Sequence, residues 1–165
     1  MSSLSAPTGG PDVYNPATGK WSQLPVPPVA LGESPNIALL PNGHVLFAGG
    51  TVFDALGDYP ANVVAELDPV TGTWTVRPST SFASVANGGT LTALADGKIL
   101  ASGGDAANQT DEIYDPATST WTTVGGQDRT GQTVTALANG QALTAGGYAD
   151  GSVALTLATA ALFQP

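Results

Sequence analysis

One eleven-residue segment occurs three times in this chain with mostly conservative change: LPNGHVLFAGG (40–50), LADGKILASGG (94–104) and LANGQALTAGG (137–147). Such a repeat constrains the fold more than any composition figure. Each copy must build one small supersecondary unit, and each unit must bury its apolar face against the next copy. Two further landmarks recur in fixed order. An apolar strand ends in proline (VYNP, AELDP, EIYDP, ALFQP), and a turn leads to tryptophan (ATGKW, VTGTW, ATSTW). The prolines 16, 69, 116 and 165 set a period of about 50 residues.

Each unit reads as four strands. The first runs through 37–40, 91–94 or 134–137, and two-residue turns follow at Asn42-Gly43, Asp96-Gly97 and Asn139-Gly140. These dipeptides accept the positive φ of tight hairpins. The second strand ends at Gly49-Gly50, Gly103-Gly104 or Gly146-Gly147, where the missing side chains let the backbone turn or approach closely. The third ends at the proline, which cannot donate to a ladder. Asp68 and Asp115, just before it, are expected to hydrogen-bond their own turn. The fourth carries Trp21, Trp74 or Trp121, read as packing residues between neighbouring units. No window has a 3.6-residue period, so essentially no helix is expected.

Gly-Gly, then an aromatic-containing strand with Asp-Pro, then Trp, resembles the kelch repeat. LPNGHVLFAGG and YDPATSTW look like bacterial kelch-motif proteins and the propeller blades of galactose-oxidase-like enzymes. Kelch blades often carry an Arg and a His ahead of the first strand. Arg129 fits that place in the last unit, and Gln132 stands where the His would be. The resemblance implies an all-β, kelch-type β-propeller segment over 1–165 with three four-stranded antiparallel blades. The units are about 36–77, 88–124 and 131–165, the last completed by the strand near 20–24, within or between chains.

Rings generally need four to eight blades, so three do not close. The expectation is a homodimer forming a six-bladed ring by twofold symmetry, with each chain half of it. The alternative is a fragment or engineered part of a larger propeller without a dedicated function.

The formal net charge is −9, and the four bases, Lys20, Arg77, Lys98 and Arg129, are scattered singly. Phosphate backbones and anionic membranes select clustered bases, so neither nucleic acid nor membrane is expected as a partner. No apolar run approaches the ~20 residues that span a bilayer, and no signal peptide is visible at the N-terminus. A processed exported chain would read the same, so compartment stays open.

With no cysteine, disulfides, thiolate metal sites and Cys nucleophiles are excluded for this chain. The radical-copper chemistry of the enzymes it resembles needs a Cys–Tyr crosslink and two His ligands, whereas His44 is the one histidine. His44 reads as an exposed turn residue. No cofactor is expected. Ca²⁺ is the alternative the acids leave open, although no Asp-x-Asp-x-Asp loop is present.

In an up-and-down blade the second-to-third and fourth-to-first connections share one end. That end collects Glu33, Asp54, Asp58, Asp105, Asp111, Asp128 and Asp150, while Lys20, Lys98 and His44 fall at the other. The longest connection, 51–62, reads as a loop containing Phe53, Leu56 and Tyr59. Loops on a rigid scaffold are where function concentrates. The candidate binding residues are therefore Asp54, Tyr59, Asp105, Tyr148 and Asp150. The expected function is a non-catalytic, self-associating scaffold that binds a protein or carbohydrate through this acidic face. The alternative is a carbohydrate-active enzyme or sugar-binding propeller using loop carboxylates.

Overall fold

The computed structural model describes residues 9–54, 57–80, 88–104, 110–127, 129–149 and 155–165, with backbone only at 53–54 and 57–60. Among these the chain is all-β, and every strand pair is antiparallel. An N-terminal hairpin joins β1 (Asp12–Asn15) to β2 (Lys20–Gln23). Next come β3 (Asn36–Leu39), β4 (Val45–Ala48), the small hairpin β5 (Thr51–Asp54) and β6 (Gly57–Pro60), β7 (Val64–Asp68) and β8 (Thr73–Arg77). The first sheet has the order β3-β4-β7-β8. The second is β9 (Thr90–Ala93), β10 (Ile99–Ser102), β11 (Thr110–Asp115) and β12 (Thr120–Gly125), in sequence order. The third holds three strands, β13 (Thr133–Ala136), β14 (Ala142–Ala145) and β15 (Ala160–Phe163).

Local chemistry explains the turns. Gly43 N–H donates to the Leu40 carbonyl and Leu40 N–H to that of His44, so the β3–β4 loop is a type I turn closed by a glycine bulge. The same pair of bonds recurs at Leu94–Lys98 and Leu137–Gln141. The two-residue turn expected from Asn-Gly is thus a three-residue loop. Only its glycine has positive φ, 84° at Gly43, 87° at Gly97 and 88° at Gly140. The preceding Asn or Asp instead accepts from the backbone N–H two residues on, at 3.0 Å for Asn42 and 3.1 Å for both Asp96 and Asn139. The carboxylates of Asp68 and Asp115 accept backbone N–H groups within their own turns. Segment 51–62, read as a loop, contains the β5–β6 hairpin, because Thr51–Val52 and Tyr59–Pro60 pair in register.

Two apolar clusters lie between neighbouring sheets. One joins Leu46 and Val64 of the first sheet to Ile99, Ala101 and Tyr114 of the second, with Leu91 packed against it. The other joins Leu100 of the second sheet to Ala142 of the third, with Ile113, Val134 and Phe163 packed against it. Burying about 25 cal/mol per Å² of apolar surface, these clusters hold the sheets face to face. Within the chain β2 pairs with β1, setting Tyr14 opposite Trp21, and among the described residues β15 pairs with β14 alone.

Candidate functional site

At the end carrying the longer connections, Asp54 sits opposite Gly57 and Tyr59 opposite Val52 in the β5–β6 ladder. Their side chains lie outside the described residues, as do Asp105 and Asp150 entirely. Tyr148 is half-buried, and its backbone bridges Thr130 on one side and Thr156 on the other. Its ring lies against Gly131, where an added Cβ would come within 3.3 Å of it. Tyr148 therefore closes its own connection as well as standing at this end.

All six glycines of the Gly-Gly pairs have positive φ, from 68° to 101°. Two polar residues close this region. Arg129 Nη1 donates to the Gly146 carbonyl at 2.9 Å and to the Thr159 carbonyl at 3.2 Å. Gln132 Nε2 donates to the Ser102 carbonyl of the preceding sheet at 2.9 Å. The Arg and Gln noted ahead of the first strand are thus buried ties, one within the third sheet and one between sheets.

Asp111 departs from its assignment to the solvated acidic face. It lies at the start of β11 and is 5% exposed. One carboxylate oxygen accepts from Ser102 Oγ at 3.1 Å and the other from Gly103 N–H at 3.2 Å. Burial raises its pKa above the ordinary carboxylate value, and the two hydrogen bonds only partly oppose this. Asp111 also lines a cleft of about 340 Å³ between the second and third sheets, which runs past Val124, Gly125, Leu162 and Phe163.

The other end holds a charged network not foreseen from sequence. Glu66, 3% exposed, accepts from His44 Nδ1 at 2.6 Å and from Arg77 at 2.6 Å (Nη2) and 2.7 Å (Nε). Asn42 Nδ2 adds a bond at 3.3 Å. Arg77 Nη1 then reaches Ser119 Oγ of the second sheet at 3.2 Å. Burial pushes the Glu66 pKa upward, but hydrogen bonds from His44, Arg77 and Asn42 outweigh it and the net value is lowered. A carboxylate only accepts, so His44 Nδ1 carries the hydrogen. His44 is half-buried and fixed to Glu66, in place of the exposed turn residue expected. The available signal was repeat position. Glu66 aligns with Ile113 and Leu162, and Arg77 with Val124, so a charged pair replaces an apolar one. Among the described residues no three His, Asp or Glu side chains form a metal-binding group.

No family model and no curated protein matches the chain. Solved structures do resemble it. The structure of YjhT, a kelch-type propeller, superposes with a TM-score of 0.63 at 17% identity, over 78% of this chain and 48% of that one. A fungal alcohol oxidase of the AA5 family, solved in complex with copper, gives 0.68 at 16% identity, over 90% of this chain and 34% of that one. The chain therefore spans about half of the first neighbour and a third of the second. At these identities the likeness is one of fold. The sheets fit the antiparallel, all-β, propeller-like fold of these neighbours.

Proposed function

We propose that the chain is a non-catalytic propeller scaffold that closes into a six-bladed ring with a second copy of itself and offers its acidic, long-connection end to a partner. The observation that carries this reading is the open fourth-strand position of the third sheet. Among the described residues β15 has one paired edge, whereas the third strands of the other two sheets, β7 and β11, have two, and a cleft lined by Val124, Gly125, Leu162 and Phe163 lies beside it. An uncovered strand edge is a template for pairing with another chain. The charged groups of the short-turn end support a structural role, since Glu66, Arg77 and His44 are spent on one another and on Ser119. With a net charge of −9, the partner favoured at the acidic end is a basic protein surface, drawn in by long-range attraction. Light scattering on the 165-residue chain tests the closure: the mass of two chains is expected, and a single-chain mass at the highest soluble concentration overturns it.

Asp111 favours a second reading, a carbohydrate-acting site. A buried carboxyl with raised pKa facing a cleft suits a general acid. The two readings compete for one cleft, which a completing strand would fill. Oligosaccharide binding that disappears in Asp111→Asn and persists in a single-chain form would favour the second.

A further inference from the structure

We propose that β15 of one chain displaces β1 from β2 of a second copy, so that β2 becomes the fourth strand of the third sheet. This rests on the ring-closing reading and names its contacts. Three observations carry it.

The first is a spacing rule. Trp74 Nε1 donates to the carbonyl of Pro25 at 2.8 Å, and Pro25 lies four residues past Trp21. Trp121 Nε1 donates to the carbonyl of Pro78 at 3.0 Å, and Pro78 lies four residues past Trp74. Each fourth-strand tryptophan therefore bonds the residue four past the tryptophan of the preceding unit. The series leaves one donor and one acceptor position over. Trp21, 68% exposed, is the first tryptophan of the series and makes no such indole bond among the described residues. Gly125, four residues past Trp121, lines the cleft beside β15, and a Cβ built on it meets nothing within 4 Å.

The second is that β1 and β15 are interchangeable against β2. Val13, Tyr14, Asn15 and Pro16 match Leu162, Phe163, Gln164 and Pro165 in order and in character. β1 pairs Val13 with Ser22 and Tyr14 with Trp21, as Ile113 pairs with Thr122 and Tyr114 with Trp121. In the same register β15 sets Leu162 against Ser22 and Phe163 against Trp21. β1 therefore covers the edge of β2 that β15 of the second copy takes.

The third is the match of the two outer sheet faces. Leu91 and Val134, on the first strands of the second and third sheets, pack into the cluster against the preceding sheet. Their equivalent in the first sheet is Ile37, which is 59% exposed. Leu100 and Ile113, which pair across the second sheet, face that third-sheet Val134 through the shared cluster. Their equivalents are Leu143 and Leu162, which pair across the third sheet, and Leu162 is 54% exposed. The exposed face of the third sheet thus repeats the surface that the exposed face of the first sheet packs on. A twofold axis satisfies both junctions together.

The absence of cysteine makes the test clean. Oxidised Ser22→Cys/Leu162→Cys should give a covalent dimer. Oxidised Val13→Cys/Ser22→Cys, which ties β1 to β2 within the chain, should give a single-chain mass. Gly125→Phe puts a ring into the cleft beside β15, starting from a position where an added Cβ meets nothing within 4 Å, and should also shift the mass to one chain while leaving the far-ultraviolet spectrum unchanged. A dimer of the unaltered chain that persists in the tied variant and does not crosslink through 22 and 162 overturns the exchange but leaves ring closure standing. A single-chain mass for the unaltered protein overturns both.

Discussion

The indole Nε1 of Trp121 donates to the main-chain carbonyl of Pro78 across 3.0 Å, tying the second sheet to the chain that leaves the first. Trp74 makes the equivalent bond to Pro25 at 2.8 Å. A proline carbonyl lying past the last ladder bond has no strand partner, so the indole satisfies a group that packing would otherwise strand. The rings also lean on a third- or second-strand aromatic, with Tyr114–Trp121 centroids 4.9 Å apart and Phe47–Trp74 5.1 Å apart.

Replacing Trp121 or Trp74 with Phe keeps a ring and removes the donor. Each change should destabilise the fold by about 1 kcal/mol, the net worth of one such bond. Trp21→Phe should leave single-chain stability unchanged and weaken self-association. Urea unfolding midpoints, set beside the concentration dependence of mass, distinguish the two effects.

The Glu66–Arg77 pair invites a double-mutant cycle. Glu66→Ile alone leaves Arg77 without its carboxylate, and Arg77→Val alone leaves the buried Glu66 held by His44 and Asn42. Either single change should cost about 3 kcal/mol, whereas the double change installs the Ile–Val combination found at 113 and 124 and should be nearly neutral. Equal losses that simply add would show that the pair is not coupled.

The pH dependence should have two opposed components. The Glu66 pKa is lowered on folding, so the stability it contributes is present above its unfolded value and is lost as pH falls through the folded one. The Asp111 pKa is raised, so folding holds its proton longer than the unfolded chain does, and stability declines as pH rises from the ordinary carboxylate range toward the raised value. Asp111→Asn should remove that decline and stabilise the protein at neutral pH. Glu66→Gln should flatten the acid limb. Thermal midpoints measured from acid to neutral pH check both.

Two glycine positions separate backbone strain from crowding. Gly140 has φ of 88° with nothing within 4 Å of an added Cβ, so Gly140→Ala should cost about 1 kcal/mol for the left-handed backbone alone. Gly147 has φ of 90°, and its Cβ would lie 2.6 Å from the Thr130 carbonyl oxygen. Gly147→Ala should therefore cost a further ~1–3 kcal/mol, since the opposing atom is backbone and cannot swing away. Similar losses at the two sites would contradict this account.

Much of the fold was legible because the repeat writes its own punctuation. Glycine pairs, the Asp before proline and the Trp strand each answer a local demand, so one copy explains the others. The β5–β6 hairpin carries none of these marks, and its pairing of Val52 with Tyr59 follows no repeated pattern. Asp111 was assigned to the solvated end because its sequence neighbours suggest a connection. It instead holds the strand position of buried Val64, as the register shows: Asp111 pairs with Val124 where Val64 pairs with Arg77.

The sequence by itself determined the four-strand pattern of the first two sheets, the all-β character of the described residues, the positions of the repeated turns and the strand at Trp21. Those features depend on φ preferences and on alternation along a few residues, which are properties of neighbours in the chain. Only the tertiary structure decided where His44 points, that Glu66 and Arg77 join across a sheet, that Asp111 is buried beside a cleft, and that β2 rests on β1 with β15 left open. Each of these depends on which faces meet between units about 50 residues apart, and side-chain burial and ion pairing are fixed only once those faces have met.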